Sequence, residues 1–373
     1  MTQPVHFPGL NGLRAIAAMA VVFAHITDEL PAFGLNAFVF GQNADGNPKA
    51  TLLAGYGVSI FFALSGFLIT YLLLEEKKVQ TINIRNFYMR RILRIWPLYY
   101  TYLVAALLTA VAFKGPVAWS AVSLYVFLSA NIPFILHTGL PFLVHYWSLG
   151  VEEQFYAFWP WLVRHTGNLL RAAVIISVSL ILLKCAIRLA DIQYGGLRIW
   201  YDIIHVTRFH CMLMGAIGAM LYDKRTAWFL RITTNWPVQL LAWIIIILAA
   251  VNKFHVASVL DNEIISAVTV ALIMGQIHQS NRIVNLEIAP LDFLGKISYG
   301  LYVIHPLLIF WLSRLIRFDH PDNPLNYVLV FVLCYLLTIA AAWISYQWWE
   351  RPFLKQKLKY TTVANADSLK SES

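Results

Sequence analysis

Apolar residues run along most of this chain in stretches about as long as a membrane is thick, near 10–28, 54–74, 95–113, 147–163, 169–189, 204–222, 236–251, 264–279, 297–316 and 325–349, separated by short polar segments. A hydrocarbon core about 30 Å thick takes about 20 apolar residues per helical pass. The pattern therefore predicts an all-α, polytopic integral membrane helix bundle of about ten transmembrane helices. A further stretch, 118–136, is apolar but carries Ser120, Ser123, Ser129, Asn131 and Pro133, so the pattern alone leaves its crossing open.

Charge arbitrates, because cytoplasmic loops collect Lys and Arg. With a cytoplasmic N-terminus and 118–136 kept out of the count, inner segments hold more than twice the Lys and Arg of outer ones. If 118–136 crosses, every later loop changes side and the outer face becomes the richer. The expected topology has ten passes, both termini cytoplasmic, and residues 114–146 as an outer segment that dips back under cover of other protein. The first apolar run has no basic region ahead of it and leads into His25 and Thr27-Asp28-Glu29, so it is expected to be retained and not cleaved as a signal peptide. One membrane domain is expected over 1–355, followed by a polar cytoplasmic tail, 356–373, whose last dozen residues are loose.

Composition agrees: 59% of residues are hydrophobic and 13% charged, which leaves no room for a separate soluble domain. The net charge of +9 would suggest nucleic acid in a soluble protein, but here it follows from the inner loops, and no nucleic-acid partner is expected. Cys185, Cys211 and Cys334 lie in or beside apolar runs without metal-ligand spacing, so they read as packing residues and no metal is expected.

Ionisable groups inside spans are expensive and are functional candidates by default. Arg14 and His25 are eleven residues apart, close to three helical turns, so they share one face of the first span roughly 16 Å apart along its axis. Arg14 alone could snorkel to headgroups, and His25 alone could be a hydrogen-bonded interface histidine. Arg90, Arg91 and Arg94 converge on one basic helical segment. Guanidinium forks suit a polyphosphate or nucleotide, although composition alone favours an anchor on anionic lipid.

Glu152 and Glu153 are adjacent at the start of an apolar run, and successive helical residues point about 100° apart, so one is expected to be buried and one solvated. Ser65 lies in a small-residue stretch, Gly55 to Phe67, whose simpler role is close helix approach. Ser65, Glu153, Tyr156, Arg208 and His305 are candidates for holding an acceptor or supporting the chemistry, with structural pairing an equal explanation for Arg208 and His305.

In this order the stretches resemble bacterial membrane acyltransferase family 3, which includes O-antigen, exopolysaccharide and nodulation-factor acetylases and macrolide acylases. The resemblance rests on Leu10-Asn11-Gly12-Leu13-Arg14-Ala15 through His25, Gly57-Val58 to Ser65-Gly66-Phe67, Phe87-Tyr88 with Arg91-xx-Arg94 and Pro97, Trp147-Ser148-Leu149 with Glu152-Glu153-Gln154-Phe155-Tyr156, Ile297-Ser298-Tyr299-Gly300-Leu301-Tyr302 before His305, and Glu350-Arg351-Pro352-Phe353. It implies that His25 is the catalytic histidine, that Arg91 and Arg94 serve acyl-CoA, and that Arg14 and Glu152 support the site. It also implies acetyl-CoA or another acyl-CoA as co-substrate, a carbohydrate or glycoside hydroxyl as acceptor, and a place among membrane lipid in the bacterial inner membrane. Asn11 stands where Asp is common, which leaves a charge role at position 11 open. Some relatives carry a C-terminal extracytoplasmic esterase-like domain, which this chain is expected to lack. The competing class is a multi-pass transporter or flippase, in which Arg14, His25, Glu152 and Arg208 would line a path; such folds often carry inverted repeats, and no repeat is visible.

Overall fold

The computed structural model describes residues 6–43, 46–113, 115, 117–320 and 323–361; Lys114 and the last dozen residues of the expected tail lie outside the described residues. The chain forms α1 (Leu10–Glu29), α2 (Leu52–Val79), α3 (Ile84–Ala112), α4 (Trp119–Val126), α5 (Asn131–Ile135), α6 (Tyr146–His165), α7 (Leu169–Tyr194) and α8 (Arg198–Thr207). It continues through α9 (Phe209–Asp223), α10 (Ala227–Thr233), α11 (Trp236–Ala250), α12 (Asp261–His278), α13 (Ala289–Lys296), α14 (Ser298–Leu315), α15 (Pro324–Ser345) and, after a π-helical turn at Tyr346–Glu350, α16 (Arg351–Lys357). Among the described residues there is no β-strand.

Each expected apolar stretch falls on a helix or a pair of helices. Six are long and apolar enough to cross a membrane, or up to eight if the pairs bent by 55° (α10 with α11) and 68° (α13 with α14) each count as one span. The other two, α6 and α12, are not among them. Each carries carboxylates, Glu152 and Glu153 in α6 and Asp261 and Glu263 in α12.

The ambiguous stretch breaks into α4 and α5, of 8 and 5 residues. At 1.5 Å per residue the longer is about 12 Å, far short of the bilayer core. The segment is tied down by protein: the amides of Asn131 and Gln154 bond each other at 3.2 and 2.7 Å, and Gly150 of α6 lies so close that a Cβ there would sit 3.0 Å from Leu128 O.

Lipid gives helices little hydrophobic reason to associate, so close approach through small residues matters. The α2–α9 contact shows it. A Cβ on Gly66 would meet Met212 O at 1.9 Å, and one on Gly215 would meet Ala63 O at 2.0 Å. On the other side of α2, Gly57 lets α1 in to the point where a Cβ would lie 2.7 Å from Ala17 O. At the start of α1, Gly295 of α13 does the same against Asn11 O, at 2.1 Å. These contacts fix α1, α2 and α9 as the backbone of the bundle and set α1 between α2 and α14.

Candidate active site

A cleft opens among α1, α2, α3, α6 and α14. Arg14, Arg91 and Arg94, from the N-terminal halves of α1 and α3, line it together with Ser65, Glu152, Tyr156 and Tyr302. Glu152 Oε1 accepts from both Ser65 Oγ and Tyr156 Oη. Tyr156 reaches it because it follows Glu152 by four residues, one helical turn. The Arg91 guanidinium lies 5.7 Å from the Tyr156 ring centre and 6.0 Å from that of Phe87. Its buried Nε has no hydrogen-bond partner among the described residues. Arg14 donates to Asn11 Oδ1 at 2.9 Å, and Asn11 Nδ2 in turn donates to Asp292 Oδ1 at 2.8 Å. The side chain at position 11 therefore relays Arg14 to a carboxylate supplied by α13.

Tyr302 joins this cleft to a group of histidines. Its hydroxyl donates to His145 O at 2.8 Å and lies 2.5 Å from Ser148 Oγ. One turn later on α14, His305 Nε2 lies 2.8 Å from His25 Nδ1, and His305 Nδ1 lies 3.0 Å from Leu301 O. The two rings are stacked, with centres 4.9 Å apart. A carbonyl can only accept, so His305 Nδ1 carries hydrogen and, in the neutral ring, Nε2 accepts. His25 Nδ1 must then donate, which leaves the lone pair on His25 Nε2. The His145 ring completes the group, 6.4 Å from His25 and 5.3 Å from His305, with its Nε2 donating to Val303 O at 3.2 Å. His145 and His305 are 3% and 0% exposed, whereas His25 is only partly buried. Among the described residues no group of His, Cys, Asp or Glu is arranged to hold a metal ion.

His145 was missed by the sequence reading. It stands two residues ahead of the Trp147-Ser148-Leu149 stretch, and that neighbourhood was the available signal.

Several expected site residues lie elsewhere. Arg90 does not line the cleft: it pairs with Glu76 at 2.9 Å and donates to Tyr360 O at 2.7 Å. Glu153 turns away from Glu152 and accepts from Trp96 Nε1 at 3.2 Å. Both glutamates are half-buried; Glu152 lines the cleft, while Glu153 Oε1 is buried without a hydrogen-bond partner among the described residues. The adjacent positions diverge as helical geometry requires, one into the cleft and one against α3. Arg208, at a left-handed backbone position (φ 43°) between α8 and α9, is bound by Gly55 O at 2.9 Å, His205 O at 3.0 Å, and Ser59 Oγ and Asn262 Oδ1 at 3.2 Å each. It ties α2 to α12. Nearby, Lys184 of α7 is bonded to Glu263, which also lies 2.8 Å from His210 Nε2.

The chain is similar to O-acetyltransferase OatA of Staphylococcus aureus, strains NCTC 8325 / PS 47 and COL, at 27% identity over 96% of this chain and 59% of the relative in each case. It thus spans about three fifths of the length of these relatives. No solved structure matches. The family described as an acyltransferase domain matches residues 7–347, and on that match, covering nearly the whole chain, the protein belongs to acyltransferase family 3.

Proposed function

We propose that the chain transfers an acyl group, most simply acetyl, from cytosolic acyl-CoA to a hydroxyl of a cell-surface polysaccharide, lipid-linked sugar or related glycoside, in the bacterial inner membrane with both termini cytoplasmic. The observation that carries this reading is the hydrogen-bonded chain from Leu301 O through His305 to His25, which leaves His25 Nε2 with a free lone pair. In the proposed step, Nε2 takes the proton of the acceptor hydroxyl as its oxygen attacks the thioester carbonyl. The tetrahedral intermediate then expels the thiolate of CoA, and the imidazolium returns the proton to it. The products are the ester and free CoA, with no net change in protons. A variant in which Nε2 itself attacks and carries the acyl group uses the same lone pair.

Arg91 and Arg94 support donor binding because both face the cleft, where forked donors suit phosphate. Glu152, held by Ser65 and Tyr156, gives Arg91 a carboxylate counterpart in the same cleft. The relatives are named as O-acetyltransferases, which supports acetyl as the group moved and a hydroxyl as its destination.

The test is thioester turnover by the purified protein, with acetyl-CoA offered alone and with glycan acceptors. Acceptor-dependent CoA release that is lost in His25→Gln is expected. Glycan movement across vesicles without CoA release would favour the transporter reading. Mass comparison of surface glycans from cells with and without the gene would name the acceptor.

A further inference from the structure

Arg208 carries a charge that the protein does not neutralise. The residue is 7% exposed, and its Nε and Nη1 are engaged by Gly55 O, His205 O, Ser59 Oγ and Asn262 Oδ1. Those oxygens satisfy hydrogen bonds but bring no net charge. Among the described residues no carboxylate lies within ion-pair distance of the guanidinium. Glu263 is bonded to Lys184 and lies 2.8 Å from His210 Nε2. Asp261 is taken by His255 at 2.7 Å and by the amides of Val256 and Ala257 at 2.9 and 3.1 Å. A buried cation without a counter-charge is costly, and more so within a membrane.

Nη2 is the part of the fork left over. It makes no hydrogen bond among the described residues, yet it is not sealed from the surface. Gly55 keeps it open: a Cβ there would lie 3.8 Å from Nη2, so a longer side chain would lie over it. Asn262 offers a second donor, since its Oδ1 accepts from Ser59 and Arg208 while its Nδ2 bonds to no described residue. The guanidinium also lies 5.2 Å from the centre of the Trp147 ring. Trp147 is two residues along α6 from His145, whose ring stands 6.4 Å from that of His25. In the proposed topology the start of α2, the α8–α9 junction and the start of α12 share the outer end of the bundle, opposite Arg14, Arg91 and Arg94.

We infer that Arg208 Nη2, with Asn262 Nδ2, receives an oxyanion of the acceptor, so that the hydroxyl presented to His25 belongs to an anionic glycoside carrying a carboxylate or a phosphate. The inference rests on the proposed acyl transfer and topology, and it names the class of acceptor. One nitrogen is free instead of a whole fork, so it meets a single oxygen of the anion, and the engaged half of the planar guanidinium holds that nitrogen in place. A neutral sugar would leave the buried charge uncompensated.

The test measures binding of methyl glucuronide, glucose 1-phosphate and neutral methyl glucoside to the purified full chain in neutral detergent, for wild type, Arg208→Gln and Gly55→Leu. Wild type should hold at least one anionic sugar about tenfold more tightly than the glucoside, the size of a charge-assisted bond, and the one preferred identifies the oxyanion. Arg208→Gln should remove that preference. Gly55→Leu keeps the four bonds of Arg208 and covers Nη2, so it should remove the preference even where Arg208→Gln fails to fold, with coenzyme A affinity unchanged. No anionic preference in wild type, a preference that survives Gly55→Leu, or a parallel loss of coenzyme A affinity in that variant would overturn the inference. If the preference depends on both positions while acetyl-CoA is neither bound nor turned over, the anion site stands and the acyl-transfer reading fails. In nanodiscs, Arg208-dependent binding of phosphatidylglycerol with no preference among the sugars would assign the charge to a lipid headgroup and end the proposal.

Discussion

Arg90 belongs to Glu76: the guanidinium lies 2.9 Å from the carboxylate, whose side chain is only 2% exposed, while the neighbouring Arg91 and Arg94 turn toward the cleft. One helical segment thus divides its arginines between holding the fold and facing the proposed donor.

The division has opposite consequences for alanine variants. Arg90→Ala strands a buried carboxylate and should lower stability by up to about 3 kcal/mol, while the folded fraction keeps its donor affinity. Arg94→Ala should leave the thermal midpoint near wild type and weaken acyl-CoA binding about tenfold or more. Thermal unfolding and donor titration on both variants check this, and a reversed pattern would return Arg94 to lipid anchoring.

His25→Gln keeps size and a hydrogen bond but cannot take up a proton near neutral pH. Turnover should fall by about 10²–10⁴ at normal expression and membrane insertion. Near-normal turnover would make the histidine structural and move attention to Glu152.

His305 acts by setting which nitrogen of His25 carries hydrogen, so its replacements should differ. Glutamine offers an acceptor to His25 Nδ1 and should retain much of the rate. Leucine offers none and should cost about tenfold or more in kcat, with KM for the donor unchanged. Equal kcat in His305→Gln and His305→Leu would remove the positioning role.

Gly66 has no room for a side chain, since a Cβ would lie 1.9 Å from Met212 O, a backbone atom that cannot swing aside. Gly66→Ala should force α2 from α9 and cost about 1–3 kcal/mol or more, read as a lower unfolding midpoint in detergent. Gly167→Ala, where no atom lies within 4 Å of the added carbon, is the matched control.

Reporter fusions after Lys114 and after Lys359 should report outside and inside respectively. The same side for both would contradict the proposed topology.

The sequence by itself determined where the apolar helices run and which residues are costly to place within them. Both are properties of short windows: bilayer thickness sets the length of an apolar run, and a charge in such a run is conspicuous whatever its neighbours. That reasoning reached Arg14, His25 and Glu152, and it picked out 118–136 as irregular; helical spacing marked Arg91 and Arg94 as one basic segment, which composition alone left to a lipid anchor. Only the tertiary structure decided what each of these groups faces. Helical spacing says that Arg90 and Arg94 share a side of α3, but Glu76 arrives from the end of α2 and takes one of them. His145 looked ordinary until α14 brought His305 close to both it and His25. For Arg208 the sequence left an acceptor role and structural pairing equally open, and the carbonyls of Gly55 and His205 close around it. Periodicity fixes a direction around one helix axis; the partner met in that direction depends on crossings set elsewhere, at Gly57, Gly66 and Gly215, where missing side chains let backbones touch.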